Sequence, residues 1–482
     1  MKDLQRSVTK RSTIHLYELY FNRAPGTYNL QEMARMFLPS SEFRILDVDP
    51  LTEGTKPLPE KMIRIPDDIT DKNEAKSYLF QQLSALTGQS PDWGILTGVR
   101  PVKLAGDMLA AAGSLEAVKE RLQNEYYVSE AKANLIISTL QTQKIAMPET
   151  GPSLVGLYIG IPFCPTRCLY CSFPSYSIQG AAVGAYIEAL KKEIRFTGEK
   201  MREKGWRPES VYIGGGTPTS LTSEELSDLM DVIRSSFDLK DCKEYTVEAG
   251  RPDTITEEKL IAIRRSGADR ISINPQSMNP ETLKRIGRAH TPEQVIGAFR
   301  LARAVDFSVI NADVIAGLLD ETQEEFSDSL NELLEQGPEN ITVHTLSVKR
   351  GSQLAEIDDK YSYRTGTQVG SMVADAYQCL ISKGYRPYYL YRQKQTTGNH
   401  ENIGYAKPGA ESLYNMRIME ENQTVIALGA GGGSKVYKQK DKRLERVFNV
   451  SNYQIYIDRI NEMLLRKEAG IFDDREETTC QI

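Results

Sequence analysis

A chain of 482 residues is too long for one ordinary hydrophobic core, so two or three domains are expected. Its 40% apolar and 26% charged residues are those of a soluble globular protein, and no run of eighteen apolar residues offers a transmembrane helix. Lys and Arg number 59 against 65 Asp and Glu, a net charge of −6, which disfavours a general nucleic-acid or membrane-surface binder.

Residues 1–150 read as an α+β extension. ILDVD and MIRIP suggest strands, whereas NEAKSYLFQQLSALTG and LEAVKERLQNEYYVSEAKANLIISTLQTQK have helical periodicity. Between them, PDWGILTGVRPVKL is rich in turn formers, with Trp93 expected in a core. The polar stretch MPETGPS marks a boundary near 150. Over 151–360, short β-rich runs alternate with amphipathic helices: LYIGI, VYIGGG, YTVEAG, DRISINPQS, FSVINADVIAGL and ITVHTLSV, with helices between them. Six such units predict a parallel sheet with crossovers, an α/β partial (β/α)6 barrel that carries function at the C-terminal ends of its strands. Residues 361–482 read as a smaller, mostly helical domain, with a tyrosine-rich stretch, YRPYYLYRQKQ, and a glycine run, LGAGGGSKVY.

Three of the six cysteines, Cys164, Cys168 and Cys171, crowd into IGIPFCPTRCLYC, directly after the first barrel strand. The N-terminus has no continuous apolar region, so a secretory signal is not expected and the reducing cytoplasm is the expected compartment. There, clustered thiols read as metal ligands or redox groups. A structural zinc site needs a fourth Cys or His, which only a long-range contact from Cys242 would supply. A cubane iron–sulfur cluster suits three thiolates better and leaves one iron open to a non-protein ligand. Taken alone, Gly214–Gly216 is equally a tight strand-to-helix turn, and Glu248 or Asp313 reads as a capping or salt-bridging carboxylate. Their recurrence at consecutive strand ends argues for a site. Cys242 and Cys379 read as buried or idle thiols, and Cys480 as an incidental one in a polar tail.

The cysteine spacing, the aromatic Tyr170 and the GGGTP segment at the next strand resemble the radical S-adenosylmethionine (SAM) enzymes. YIGIPFCPTRCLYC, GGGTPT, VEAGRPDT and RISINPQS followed by IGRAH are similar to the oxygen-independent coproporphyrinogen III oxidase subfamily. The likeness extends to its long members called coproporphyrinogen dehydrogenase, which share an N-terminal extension and segments like WGILTGVRP and VHTLSVKR. It covers most of the chain and is close over 90–105 and 155–435. The resemblance implies a 4Fe-4S cluster on Cys164, Cys168 and Cys171, with SAM on the open iron. Tyr158 and Tyr170 would lie against SAM and the cluster, and Gly215, Gly216 and Thr217 at the methionine amino end. Glu248 and Gln276 would make polar SAM contacts, Arg288 would meet the methionine carboxylate, and Asp313 and Ile315 the ribose and adenine.

The implied reaction is enzymatic oxidative decarboxylation of tetrapyrrole propionates to vinyl groups, started by a 5′-deoxyadenosyl radical, with reduced flavodoxin or ferredoxin as the electron donor. An anionic tetrapyrrole would call for cations near the barrel mouth: Arg167, Lys349, Arg350, Arg392 and Lys394 are candidates. One position departs from the decarboxylating pattern, because Phe173 stands where those relatives carry another cysteine. An aromatic there is typical of a haem-chaperone branch with a His-Asn-x-x-Tyr-Trp motif. The comparable HENIGYA has His400 displaced by one residue and Ala406 in place of tryptophan. Three readings stay open: a coproporphyrinogen oxidase, a haem-binding or trafficking protein that retains a cluster, and a radical SAM enzyme on another tetrapyrrole or RNA. RNA is disfavoured by the mixed charges of KPLPEKMIRIPDD.

Overall fold

The computed structural model describes residues 17–21, 24–39, 41–47, 49, 61–98, 100–349, 351–357, 361, 366–393 and 396–473. Two compact units divide the chain, one formed by residues 1–99 and 108–135 and the other by 100–107 and 136–482.

In the first unit, strands Phe43–Ile45, Tyr17–Tyr20 and Met62–Arg64 form a parallel sheet in that order. ILDVD contributes only Ile45 to a strand, since the exposed Asp47 beyond it has left the ladder. Helices Thr27–Phe37 and Lys72–Thr87 cover the sheet around Leu19, Leu30, Met33, Phe37, Leu79 and Phe80. Asp71 caps the second helix and Gly88, in the left-handed region, ends it. Trp93 is buried as expected. The long helical stretch 115–144 breaks into Leu115–Asn124 and a helix that begins at Glu130, because Tyr127 takes a left-handed backbone (φ 55°) and Val128 turns into the core.

The second unit carries an eleven-stranded sheet. Its strands are β1 (Leu154–Ile161), β2 (Arg207–Gly215), β3 (Glu244–Glu248), β4 (Arg270–Ser272), β5 (Val309–Ala316), β6 (Asn340–Thr345), β7 (Arg386–Arg392), β8 (Glu401–Ala406), β9 (Val425–Leu428), β10 (Gly433–Lys438) and β11 (Arg443–Phe448). Their order is β7-β8-β6-β5-β4-β3-β2-β1-β9-β10-β11. From β1 to β6 every neighbouring pair is parallel, as in the expected partial (β/α)6 barrel. The connecting helices include α1 (Val183–Glu203), α2 (Ser223–Ser236), α3 (Glu257–Arg265), α4 (Pro280–Arg285), α5 (Pro292–Ala304) and α6 (Gln323–Glu335). Capping boxes at Thr222/Glu225, Thr291/Gln294 and Thr322/Glu325 start α2, α5 and α6 just past the loops that bear the site.

Beyond residue 360 the chain holds the expected helices, α7 (Gly366–Ser382) and a terminal pair, Tyr453–Asp458 and Ile460–Lys467, together with an unanticipated one, α8 (Leu413–Glu420), but it also supplies five strands to the sheet. β8 runs antiparallel to β6, and β9 joins the opposite edge in parallel with β1. Three of the tyrosines of YRPYYLYR lie in β7, with the Tyr389 and Tyr391 rings stacked at 6.2 Å, and the glycine run is a turn between β9 and β10 with Gly429 and Gly431 at positive φ. This stretch therefore completes the second unit instead of standing as a separate helical domain. At the N-terminal strand ends, the Glu244 carboxylate accepts from the Ser412 hydroxyl and the Leu413 N–H and so docks the start of α8. No helix among the described residues is long and apolar enough to cross a membrane.

Candidate functional site

The cysteine loop lies at the C-terminal end of β1. Phe163–Cys164 pairs in parallel with Tyr176–Ser177, which turns the loop back on itself. Cys168 is buried, and Cys164 and Cys171 are half-buried. Burial pushes the Cys164 and Cys171 thiols above their ordinary range, and the neighbouring sulfurs add to the shift. Thiols so placed ionise when a metal takes them. Among the described residues no three Cys, His, Asp or Glu side chains converge on a single ion. A cubane asks for something else, one thiolate at each of three separate irons.

Other strand ends brace the loop. Arg167 donates to the Gly351 carbonyl at 2.6 Å, Leu169 N–H to the Ile286 carbonyl, and Leu354 N–H to the Leu169 carbonyl. Thr217 Oγ1 lies 3.5 Å from Cys164 Sγ. The β2 end presses so closely that a Cβ on Gly216 would lie 2.5 Å from the Phe163 carbonyl oxygen and 3.0 Å from Cys164 Sγ. Gly215, at φ 116°, has the Tyr158 hydroxyl 3.3 Å from where its Cβ would be.

A line of largely buried polar groups follows the strand ends away from this cradle. Glu248 accepts from Tyr212 Oη at 2.9 Å and from Gly215 N–H at 3.2 Å. Burial, reinforced by the Asp313 charge, pushes its carboxyl up to about 7. The same burial, with the Glu248 charge behind it, pushes the Tyr158 phenol up. Burial opposes ionisation of Asp313, yet the bond and charge of His344 hold its carboxyl below the usual range. His344 is raised in turn: burial lowers it, and Asp313, 3.6 Å away, outweighs that. Tyr391 Oη is 3.4 Å from the other ring nitrogen. Below them Tyr158, Tyr212 and Tyr414 stack, with Tyr212 and Tyr414 centred 4.6 Å apart.

Gln276 holds a left-handed backbone (φ 70°) between β4 and β5, and its buried Oε1 has no hydrogen-bond partner. A strained non-glycine residue with an unanswered acceptor marks a place built to meet a ligand. Arg288 is turned inward, donating to the Asn274 and Gly250 carbonyls and reaching the Tyr170 hydroxyl at 3.5 Å. Ile315 packs in one apolar cluster with Leu283, Leu346 and Tyr170. The structure thus places Gly215, Gly216, Thr217, Glu248, Gln276, Asp313 and Ile315 at or just beyond the C-terminal part of their strands, Tyr158 within β1, Tyr170 in the cysteine loop and Arg288 after α4. The tight glycine cradle beside Cys164, the unanswered Gln276 acceptor and three adjacent thiols fit a thiolate-held cluster with a small polar ligand beside it.

Other expectations fare differently. Lys349 is half-buried near Cys171, and burial pushes its amine down. Arg392 is buried and donates to the Asn399 carbonyl, so it presents no open cation at the mouth. Arg350, Lys394 and Cys480 lie outside the described residues. His400 Nε2 meets the Gly366 carbonyl at 3.1 Å, and its ring fills space that Cβ atoms on Gly370 or Gly398 would occupy. Cys242 donates to the Glu244 carbonyl, with its thiol pushed up to about 12 by burial. Cys379 lies 3.7 Å from Asn331 Oδ1. Sequence reading missed Arg251, whose guanidinium reaches into the cysteine loop; VEAGRPDT was its only signal.

A family model described as the Radical SAM superfamily matches residues 158–333. The chain is 42% identical over 426 residues to the oxygen-independent coproporphyrinogen-III oxidase-like protein HemZ of Bacillus subtilis, across 86% of this chain and 85% of that protein. It is 32% identical over 306 residues to the heme chaperone HemW of Bacillus subtilis, across 63% and 76% respectively. The solved structure of coproporphyrinogen III oxidase (HemN) from Escherichia coli matches with a TM-score of 0.51 at 22% identity, across 67% of this chain and 73% of that one. That last likeness bears on the fold.

Proposed function

Because the chain belongs to the radical SAM superfamily, among the oxygen-independent coproporphyrinogen-III oxidase-like proteins, we propose that it oxidatively decarboxylates coproporphyrinogen III propionates to vinyl groups without oxygen. The 42% identity to HemZ over most of both chains carries this reading. The cofactors are a 4Fe-4S cluster and SAM. Cys164, Cys168 and Cys171 would hold three irons, with the fourth left to SAM. Together, reduced cluster and SAM supply the one-electron chemistry that removes hydrogen from an unactivated carbon. Reduced flavodoxin or ferredoxin would donate the electron.

The chain's own part is to bind, orient and exclude water. The bare Gly215–Gly216 backbone admits the methionine end closely, beside the Thr217 and Tyr158 hydroxyls. Glu248 offers a carboxylate to an ammonium or ribose hydroxyl, and Asp313, kept ionised by His344, offers a second one. Gln276 contributes its unanswered acceptor, Arg288 a half-buried positive charge, and Ile315 with Tyr170 an apolar wall. The tyrosine stack lies below this pocket, which favours entry of substrate from the strand C-termini.

A haem-trafficking function is the second reading, favoured by the exposed Phe173 and by the HemW relative. The packing of His400 weighs against it. Anaerobic incubation with coproporphyrinogen III, SAM and dithionite, read by product mass, separates the two. Stepwise loss of two carboxyl groups with 5′-deoxyadenosine formation is expected. Unchanged substrate alongside tight haem binding would overturn the oxidase reading.

A further inference from the structure

Arg251 follows β3, in the Gly250–Arg251–Pro252 turn, and is only 3% exposed. One edge of its guanidinium is forked on Asp253, with Nε at 3.0 Å and Nη2 at 3.1 Å from the two carboxylate oxygens. The remaining nitrogen, Nη1, enters the cysteine loop. It donates to Thr166 Oγ1 at 3.1 Å and to the Thr166 carbonyl at 3.4 Å, and lies 3.8 Å from Cys168 Sγ. A planar guanidinium does both tasks at once, which the single ammonium of a lysine does not.

We propose that Arg251, with Asp253 as its counter-charge, is a positioning residue that sets the reduction potential of the cluster held through Cys168. The inference rests on the cluster and not on the identity of the substrate. Reduction adds one negative charge to a centre already carrying three thiolates. A fixed cation within hydrogen-bond reach of a ligating sulfur stabilises the reduced form more than the oxidised one. Cys168 is 8% exposed, so water screens little of that field. Other groups nearby are the Arg288 cation, which also reaches Cys168, the Tyr170 phenol, the Arg167 and Lys349 cations beside Cys171, and His290, which burial and the Arg288 charge push down to about 3. All of them stay in place in the Arg251 and Asp253 variants. Asp253 is the local anion that offsets Arg251. The loop does not depend on Arg251 for its shape alone, since Arg167–Gly351, Leu169–Ile286 and Leu354–Leu169 hold it independently.

The signs of two substitutions test this. The full chain and its Arg251→Gln, Arg251→Lys and Asp253→Asn variants are reconstituted anaerobically and assayed for iron and sulfide. Midpoint potentials follow from redox titration monitored by electron paramagnetic resonance. Arg251→Gln is expected to move the potential negative, enough to lower the reduced fraction at a fixed poise about tenfold, which is about 59 mV for a one-electron couple. Arg251→Lys should shift it less. Asp253→Asn, which leaves the guanidinium uncompensated, should shift it positive. A purely structural role predicts no such opposition. An unchanged potential in iron-replete Arg251→Gln, or shifts of the same sign in Arg251→Gln and Asp253→Asn, overturns the proposal. If Arg251→Gln holds no iron, Asp253→Asn decides: a positive shift supports it and any other result refutes it. No step reads substrate turnover, so failure on coproporphyrinogen leaves this test intact.

Discussion

Gly216→Ala is the sharpest test of the cradle between β2 and the cysteine loop. The new Cβ would stand 2.5 Å from the Phe163 carbonyl oxygen, 2.9 Å from its carbon and 3.0 Å from Cys164 Sγ. The first two are backbone atoms and cannot swing aside, so the strand end and the loop must part or the thiol must turn away. Parting stretches two bonds, from Gly216 N–H to the Ile161 carbonyl (2.8 Å) and from Thr217 N–H to the Phe163 carbonyl (2.7 Å). At about 1 kcal/mol net for each bond, the cost is about 2 kcal/mol, inside the ~1–3 kcal/mol of overpacking. Expressed entirely in ligand binding, that is a roughly 30-fold weaker SAM affinity. Anaerobic calorimetry on reconstituted protein, with iron measured per chain, reads both losses. Gly297→Ala on α5, where nothing beyond the helix's own neighbouring backbone lies within 4 Å of the new Cβ, is the control. It should gain about 0.5–1 kcal/mol from helix propensity. If Gly216→Ala keeps its iron and binds SAM as the parent does, the contact yields without cost and the cradle argument fails.

Two further outcomes follow from buried charge. Glu248 is neutral below about 7 and ionised above it, so attraction for the SAM ammonium should strengthen as pH rises through that value. Glu248→Gln should flatten the profile, and an unaltered profile in that variant assigns the titration to another group. Lys467 and Glu193 form a fully buried pair at 3.2 Å, with Glu193 also accepting from Gly429 N–H, Asn449 Nδ2 and Tyr456 Oη. Lys467→Met should cost about 3–5 kcal/mol by stranding the carboxylate, and Glu193→Gln with Lys467→Met should cost less. Hydrogen exchange across 453–472 measures it, and equal protection in Lys467→Met and the parent would show that the pair anchors nothing.

The barrel units were legible because parallel strands buried on both faces read as apolar runs, and because Thr222, Thr291 and Thr322 announce the helices that follow. The cysteine triplet was legible for a similar reason, since its spacing is local. What escaped depends on distance along the chain. β9 lies beside β1 through pairs such as Val425 with Gly156, which no local pattern encodes. Arg251 acquires its role from Thr166, 85 residues earlier. Tyr127 breaks a helix through a left-handed backbone that no glycine or proline signals. His400 looked available as a ligand until Gly366, Gly370 and Gly398 closed around it.

The bracing of the cysteine loop also sets an order of events during synthesis. All three thiols have been made by residue 171, but their supports come later: Arg251, then Ile286, then Gly351 and Leu354. A growing chain that stops at the sixth strand has all three cysteines and the Arg251 and Ile286 contacts, but its loop still lacks the Gly351 and Leu354 supports. On the proposed ligation, cluster retention is tied to completion of the barrel, so truncated chains ending before Gly351 should lose iron readily even though all three cysteines are present.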